Sequence, residues 1–166
     1  MERYTIRHAV ASDIAHLNDM LVEAVNGAAA STGVRRSRLA VLDDPRAFVY
    51  LAGWKRPSDF GAIAVDERGS SIGAAWARVL SPESAGDGFV ASGVPELTIG
   101  VNPLWRARGI GRDLLRSVLT QAKVLGHSRV SLAVEHDNFA RRLYLTEGFR
   151  TVRVTESFEV MVRQSS

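Results

Sequence analysis

Apolar residues at Ile14, Leu17, Leu21 and Val25 recur every three or four positions and predict an amphipathic helix ending near Gly27. Ser12 is placed as its N-cap, with Asp13 in the first turn. Before it, Tyr4 to His8 alternates enough to form a first strand. Asp43-Asp44-Pro45 opens a second helical segment whose apolar side includes Phe48, Val49 and Leu51. Phe60 to Val65 and Ile72 to Leu80 read as two strands joined by a tight turn at 67–70. A loop rich in Ser, Gly and Asp follows from Ser81 to Gly93. The strand Glu96 to Val101 then leads into a helix from about Gly109 to Leu125, with Ile110, Leu114, Val118 and Ala122 on one face. Gly126 stands where a C-terminal cap belongs. Val130 to Val134 reads as a short buried strand and Asn138 to Glu147 as a short helix. Phe149 to Thr155 and Phe158 to Arg163 close the chain as a hairpin. This order predicts an α+β or mixed α/β layer around one sheet.

The chain has 166 residues, 46% of them hydrophobic, which suits one domain with a full core. Twenty-one Lys and Arg against 18 Asp and Glu give a net charge of +3, too small an excess to imply a nucleic-acid partner. Arg35, Arg36 and Arg38 form a tight basic cluster, read as a solvated loop. The absence of cysteine excludes disulfides, thiolate zinc sites and a thiol nucleophile. His8, His16, His127 and His136 have no helical metal-ligand spacing, so no metal is expected. The first residues carry no apolar signal core, and no run approaches the roughly 18 apolar residues of a membrane span. A cytoplasmic protein is the expectation.

The most informative segment is Arg106-Ala107-Arg108-Gly109-Ile110-Gly111, lying between a strand and a helix. Glycines at a helix start let the backbone approach a ligand, and the unpaired N–H groups of the first turn favour an anion. Arg106, Arg108 and Arg112 add positive charge. The third glycine of a dinucleotide fingerprint is missing, because Leu114 follows Asp113, and no Gly-Lys-Ser/Thr ending makes a P-loop. Gly69-Ser70-Ser71-Ile72-Gly73 has the form Gly-x-Ser-x-Gly, but a strand follows it rather than a helix, so it is read as a hairpin turn.

With these elements in place, the second half resembles the GCN5-related N-acetyltransferase (GNAT) superfamily. Glu96 to Val101 followed by Asn102-Pro103 is similar to that family's central strand and its exit, and Arg106 to Gly111 to its acyl-CoA pyrophosphate loop. Val130 to Val134 with His136-Asp137-Asn138 resembles the second central strand and its following asparagine. Ala140 to Tyr144 with Gly148-Phe149 resembles the helix bearing a tyrosine and its Gly-Phe terminus. The likeness is close over 96–152; earlier elements agree only in number and order.

The resemblance implies one N-acetyltransferase domain over 1–166: an acceptor-side half at 1–94, an acyl-CoA-binding core at 95–152 and a closing hairpin strand at 153–166. Its sheet would be mostly antiparallel and twisted, with about six to seven strands, helices on both faces and a splayed central pair. It further implies that the amides of Arg108 to Arg112 hold the CoA pyrophosphate, with Arg106, Ala107, Gly109, Ile110 and Gly111 completing the loop. Ile99, Gly100 and Val101 would pair with the pantetheine arm and meet the reaction's oxyanion. Asn138 would contact the pantetheine or adenylate portion, cap the last helix, or do both.

Acetyl transfer from a thioester to an amine needs a neutral amine, an oxyanion site and a proton for the thiolate, with no covalent enzyme intermediate. Tyr144 is the candidate acid and a CoA contact; Glu96, acting directly or through a water, is the candidate base. His136 is read as a solvated or adenosine-side histidine. The acceptor pocket is expected from the end of the first helix, the 31–41 loop, 48–60 and the 155–158 turn. Tyr50, Trp54, Phe60, Trp76 and Phe89 give this half an aromatic bias, with two of them expected at the pocket. Asp59, Asp87 and Glu96 are candidates for attracting a cationic amine. The expected activity is therefore transfer from acetyl-CoA to the primary amine of a small molecule. The alternatives are a protein N-terminal or lysine acetyltransferase and a non-catalytic acyl-CoA sensor. A homodimer is a candidate assembly.

Overall fold

A computed structural model describes residues 3–27 and 33–165. Seven strands form one sheet: β1 (Tyr4–His8), β2 (Phe60–Asp66), β3 (Ser71–Val79), β4 (Pro95–Val101), β5 (Arg129–Glu135), β6 (Arg150–Val154) and β7 (Phe158–Gln164). Their order is β1-β2-β3-β4-β5-β7-β6. All neighbours run antiparallel except β4 and β5, which are parallel and pair at Glu96↔Ser131 alone. Beyond that pair the two central strands diverge, opening a slot in the middle of the sheet. The mixed fold, strand number and splayed pair agree with the expectation.

Alternation along the strands divides the core in two. Ala75, Ala77 and Leu97 face one side with Ile110, Leu114, Leu115 and Val118 of α4 (Ile110–Val124). Ala74 and Trp76 face the other side with Leu17, Met20 and Leu21 of α1 (Ile14–Val25). Helices therefore cover both faces. The crossing of α1 over β4 is close because Gly100 has no side chain: a Cβ there would stand 2.0 Å from the Met20 carbonyl oxygen. The short helices α2 (Arg38–Leu42) and α3 (Pro45–Phe48) follow α1, and α5 (Ala140–Thr146) follows β5. Among the described residues no helix is long and apolar enough to cross a membrane.

Two local expectations change. Ser12 does not cap α1: the Asp13 carboxylate accepts from the Val10 amide and from Arg7, and a 3₁₀ turn precedes the helix. The helix predicted from Asp44 is only α3, capped by the Asp44 carboxylate, and Phe48 is left exposed; α2, with its Ser37 cap, has no counterpart among the predicted elements. The basic cluster is exposed to solvent, as expected, and its arginines are ion-paired. Arg35 pairs with Glu23, Arg36 with Asp44 and Arg38 with Asp19, so opposite charges on α1 and before α3 tie this segment down. The Gly-x-Ser-x-Gly run is the β2–β3 hairpin turn, as expected.

Candidate active site

The slot between β4 and β5 opens into a cavity of about 580 Å³. Its walls come from the end of α1 (Leu21, Ala24, Val25), the 36–50 segment (Arg36, Asp44, Arg46, Ala47, Tyr50), Asp87, β4, β5 and the β6–β7 turn (Ser157, Phe158). Glu96, Ile99, Asn138 and Tyr144 all line it. Of the expected aromatic residues only Tyr50 reaches the lining. Trp76 and Phe60 are core side chains, and Trp54 donates its indole N–H to the Val10 carbonyl. Residues 31 and 32 of the expected acceptor loop lie outside the described residues.

Glu96 is the second residue of β4, and its side chain shares the α1 face of the sheet with Arg78 and Trp76, because β3 and β4 pair as Arg78↔Glu96 and Trp76↔Thr98. It is only 2% exposed. Oε2 accepts from the Tyr50 hydroxyl at 2.8 Å and from the Gly88 amide at 3.0 Å. Oε1 is buried with no hydrogen-bond partner. Burial pushes the carboxyl up to about 7; the Tyr50 and Gly88 hydrogen bonds pull it down, and the nearby Asp87 charge adds to the rise. A carboxylate poised there is half-ionised at neutral pH, which suits proton abstraction.

Tyr144 projects from α5 into the same cavity, its ring tilted against Phe149 at 5.8 Å. Burial, then the Glu135 charge, raise its phenol above the usual range, so it stays protonated at neutral pH and is a donor. Asn138 stands just before α5: its side-chain oxygen accepts from the Ala140 amide at 2.9 Å, and its amide donates to Glu135 at 3.0 Å. It also borders Gly27 at the end of α1.

Beyond the cavity, the loop after β4 turns through Ala107 at φ 61 and Gly109 at φ 83 before α4 begins. Left-handed residues in such a loop can turn successive N–H groups to one side, the arrangement of an anion-binding nest. No side chain caps the first turn of α4, so its N–H groups keep the orphan status of a helix start. Of the three arginines expected there, Arg108 lies over the Trp105 ring at 4.9 Å. Arg112 is turned to Glu147 at 2.5 Å.

Asp59 does not face the cavity. It lies buried between Arg78 and Arg56, with a two-pronged contact to Arg78 at 3.1 and 3.0 Å. Burial alone would raise its carboxyl; the hydrogen bonds from Arg78 and Arg56 hold it below the usual range. Its candidacy for drawing in an amine is therefore withdrawn, whereas Asp87 and Glu96 line the cavity. His136 lies outside the lining, with Nε2 2.7 Å from the Thr155 carbonyl oxygen. No group of three metal-ligating side chains occurs among the described residues. The sequence did not reveal Tyr50 and the Gly88 amide as partners of Glu96, since nothing local marks either one.

The structure resembles solved acetyltransferases along its whole length. PaiA N-acetyltransferase from Thermoplasma acidophilum, solved with coenzyme A, aligns over 98% of this chain and 99% of its own, with 16% identity and a TM-score of 0.66. A GCN5-related N-acetyltransferase from Kribbella flavida aligns over 98% of each chain, with 21% identity and a TM-score of 0.66. A phosphinothricin acetyltransferase from Sinorhizobium meliloti, solved with acetyl-CoA, aligns over 97% of this chain and 88% of its own, with 23% identity and a TM-score of 0.65. No curated protein sequence matches. The model of the acetyltransferase (GNAT) family matches residues 21–149, from the middle of α1 through the β4 loop and α5 to Phe149. With that match added to its splayed seven-stranded sheet, the chain belongs to the GNAT family of acetyltransferases.

Proposed function

We propose that this N-acetyltransferase moves acetyl from acetyl-CoA to the primary amine of a small molecule by direct attack. The observation that carries the reading is the cavity holding Glu96, with one buried unpartnered oxygen, and Tyr144, a protonated phenol, on walls from β4 and α5. Cysteine is absent from the chain, in keeping with a route that has no thioester on the enzyme.

The amides of Arg108 to Arg112, with Arg106 and Ala107 shaping the nest, would hold the pyrophosphate; the uncapped α4 start fits that anion. Ile99, Gly100 and Val101 lie beyond the β4–β5 pair, so that edge of β4 is open to main-chain hydrogen bonds with the pantetheine arm and the carbonyl oxygen. Asn138 lines the cavity beside them. When bound, acetyl-CoA supplies the activated acyl group. A cationic acceptor first sheds one proton to solvent; Glu96 then takes a second from the neutral amine nitrogen, directly or through one water, as the new N–C bond forms. Tyr144 gives its proton to the departing sulfur as the C–S bond breaks. One proton then returns from Glu96 to Tyr144 through solvent, and the site is reset.

The acceptor class follows from the walls. Four carboxylates (Asp44, Asp87, Glu96, Glu135) outnumber Arg36 and Arg46, which favours a cationic amine. The β6–β7 turn lines the cavity through Ser157 and Phe158, which favours a compact acceptor over a chain lying across the slot. A cytoplasmic location is part of the proposal, in keeping with the cysteine-free composition.

Tyr144→Phe tests the acid. Amine-dependent CoA release, followed by free thiol, is expected to fall by about a hundredfold or more, while calorimetric acetyl-CoA affinity changes less than about twofold. Unchanged release would remove Tyr144 from the role. Release confined to peptide amines would transfer the reading to a protein acceptor.

A further inference from the structure

We infer that Tyr50 is a positioning residue for Glu96: its hydroxyl and the Gly88 amide fix Oε2, leaving Oε1 as the oxygen that takes the acceptor's proton. The inference rests on the base role proposed for Glu96.

Tyr50 is held from behind. Its carbonyl accepts from the Trp76 indole at 2.9 Å. The Val49 carbonyl accepts from Arg78 at 2.9 Å and the Ala52 carbonyl from Arg78 at 2.5 Å. Trp76 and Arg78 both stand on β3, the strand paired with β4, so the backbone around Tyr50 and the root of Glu96 share one rigid support. Asp59 fixes the guanidinium in turn.

The Tyr50 hydroxyl does two things at once, donating to Glu96 Oε2 and accepting from the Asp87 amide at 2.9 Å. It thereby draws the 81–94 loop onto the carboxylate, where Gly88 adds the second donor to Oε2. The approach needs glycine: a Cβ on Gly86 would lie 2.5 Å from Oε1, and one on Gly88 2.6 Å from the Leu132 carbonyl carbon. With Oε2 accepting two hydrogen bonds and Oε1 unpartnered, the two oxygens are chemically distinct. The less stabilised one is the more basic.

Few charged groups face this carboxyl. Arg78 is opposite on β3, but its guanidinium is turned to Asp59. Asp87 approaches from the loop, Arg36, Asp44 and Arg46 line the cavity with Glu135 of β5 and Tyr144 of α5, and α1 contributes Leu21, Ala24 and Val25 to the lining. Ser131, in register on β5, has a buried hydroxyl without a hydrogen bond.

The test is a pH titration of protein labelled with ¹³C at the glutamate carboxyl, without substrate, the Glu96 signal being assigned through Glu96→Gln. Unmodified protein should titrate near pH 7. Tyr50→Phe should move the midpoint up by about one unit, because a hydrogen bond to the ionised form is lost. Asp87→Asn should move it down, because a like charge is removed. Simple loosening would admit water and lower both midpoints, so an unchanged or lowered midpoint in Tyr50→Phe overturns the inference. A second measurement needs no variant. With ¹³Cζ-tyrosine, one of the three tyrosine signals, assigned to Tyr50, should step at the Glu96 midpoint; a flat signal also overturns it. CoA release against pH separates the two ideas. If release ignores these midpoints while the titrations behave as expected, the base role fails and the positioning stands. If release follows Glu96 but Tyr50→Phe leaves its midpoint in place, the positioning fails and the base role stands.

Discussion

Glu96→Gln is expected to cut amine-dependent CoA release by about two to four orders of magnitude, the range ascribed to a positioned general base. The same change should erase the limb near pH 7 on the rate profile, since an amide does not titrate. Activity in the unmodified enzyme rises with pH through that limb, because only the ionised carboxylate accepts a proton. The substitution should also remove a pH dependence of stability, whose sign is set by the direction of the shift. In the fold the carboxyl is raised from its ordinary 4.5 to about 7, so the folded state holds the proton more tightly. The stability this brings is full below pH 4.5 and is lost as pH rises through 7, amounting to about 3 kcal/mol for a shift of that size. The neutral amide of the variant carries no such loss. Urea melts of the two proteins should show the variant gaining on the wild type by about 2–3 kcal/mol between pH 5 and pH 8. Parallel stability curves across that range would contradict the buried, raised carboxyl.

The second large effect lies away from the slot. Asp59→Ala leaves the Arg78 guanidinium, 2% exposed, without its charge partner. Removing one member of a buried pair costs about 3–5 kcal/mol, because the remaining charge is uncompensated. In a chain of this length that should lower Tm by about 6–20 °C. Arg78 also holds the Val49 and Ala52 carbonyls, so activity at a temperature where the variant stays folded should fall as Tyr50 loosens. An unaltered Tm would mean that the Asp59–Arg78 pair is not the support of this wall.

The β4–α4 unit could be read in the sequence because its signals are local. An apolar strand, glycines at the helix start, a helical apolar period and a terminal glycine all fall within about thirty residues. The segment from 33 to 59 was less legible. A five-residue helix such as α2 has no period to detect, and its position is set by ion pairs from Arg35 and Arg38 to acids twelve and nineteen residues earlier. Ser12 looked like a cap because its residue type is right; Asp13 carries the local hydrogen bonds instead, with Arg7 supplying the contact that decides it. Glu96 was legible as a strand-start carboxylate and Tyr144 as a helical tyrosine. The split between the oxygens of Glu96 was not, since it arises from Tyr50, 46 positions earlier, and from a loop glycine eight residues before it. Asp59 misled for the same reason: its partner Arg78 is nineteen residues away and visible only once β2 and β3 pair.

The most direct test of the central claim is calorimetric acetyl-CoA binding followed, in the same preparation, by free-thiol release across a panel of small primary amines at pH 6 to 9. Micromolar binding is expected, with release that depends on the amine and rises through a limb near pH 7. Absence of acetyl-CoA binding, or binding with no release from any amine, would contradict it.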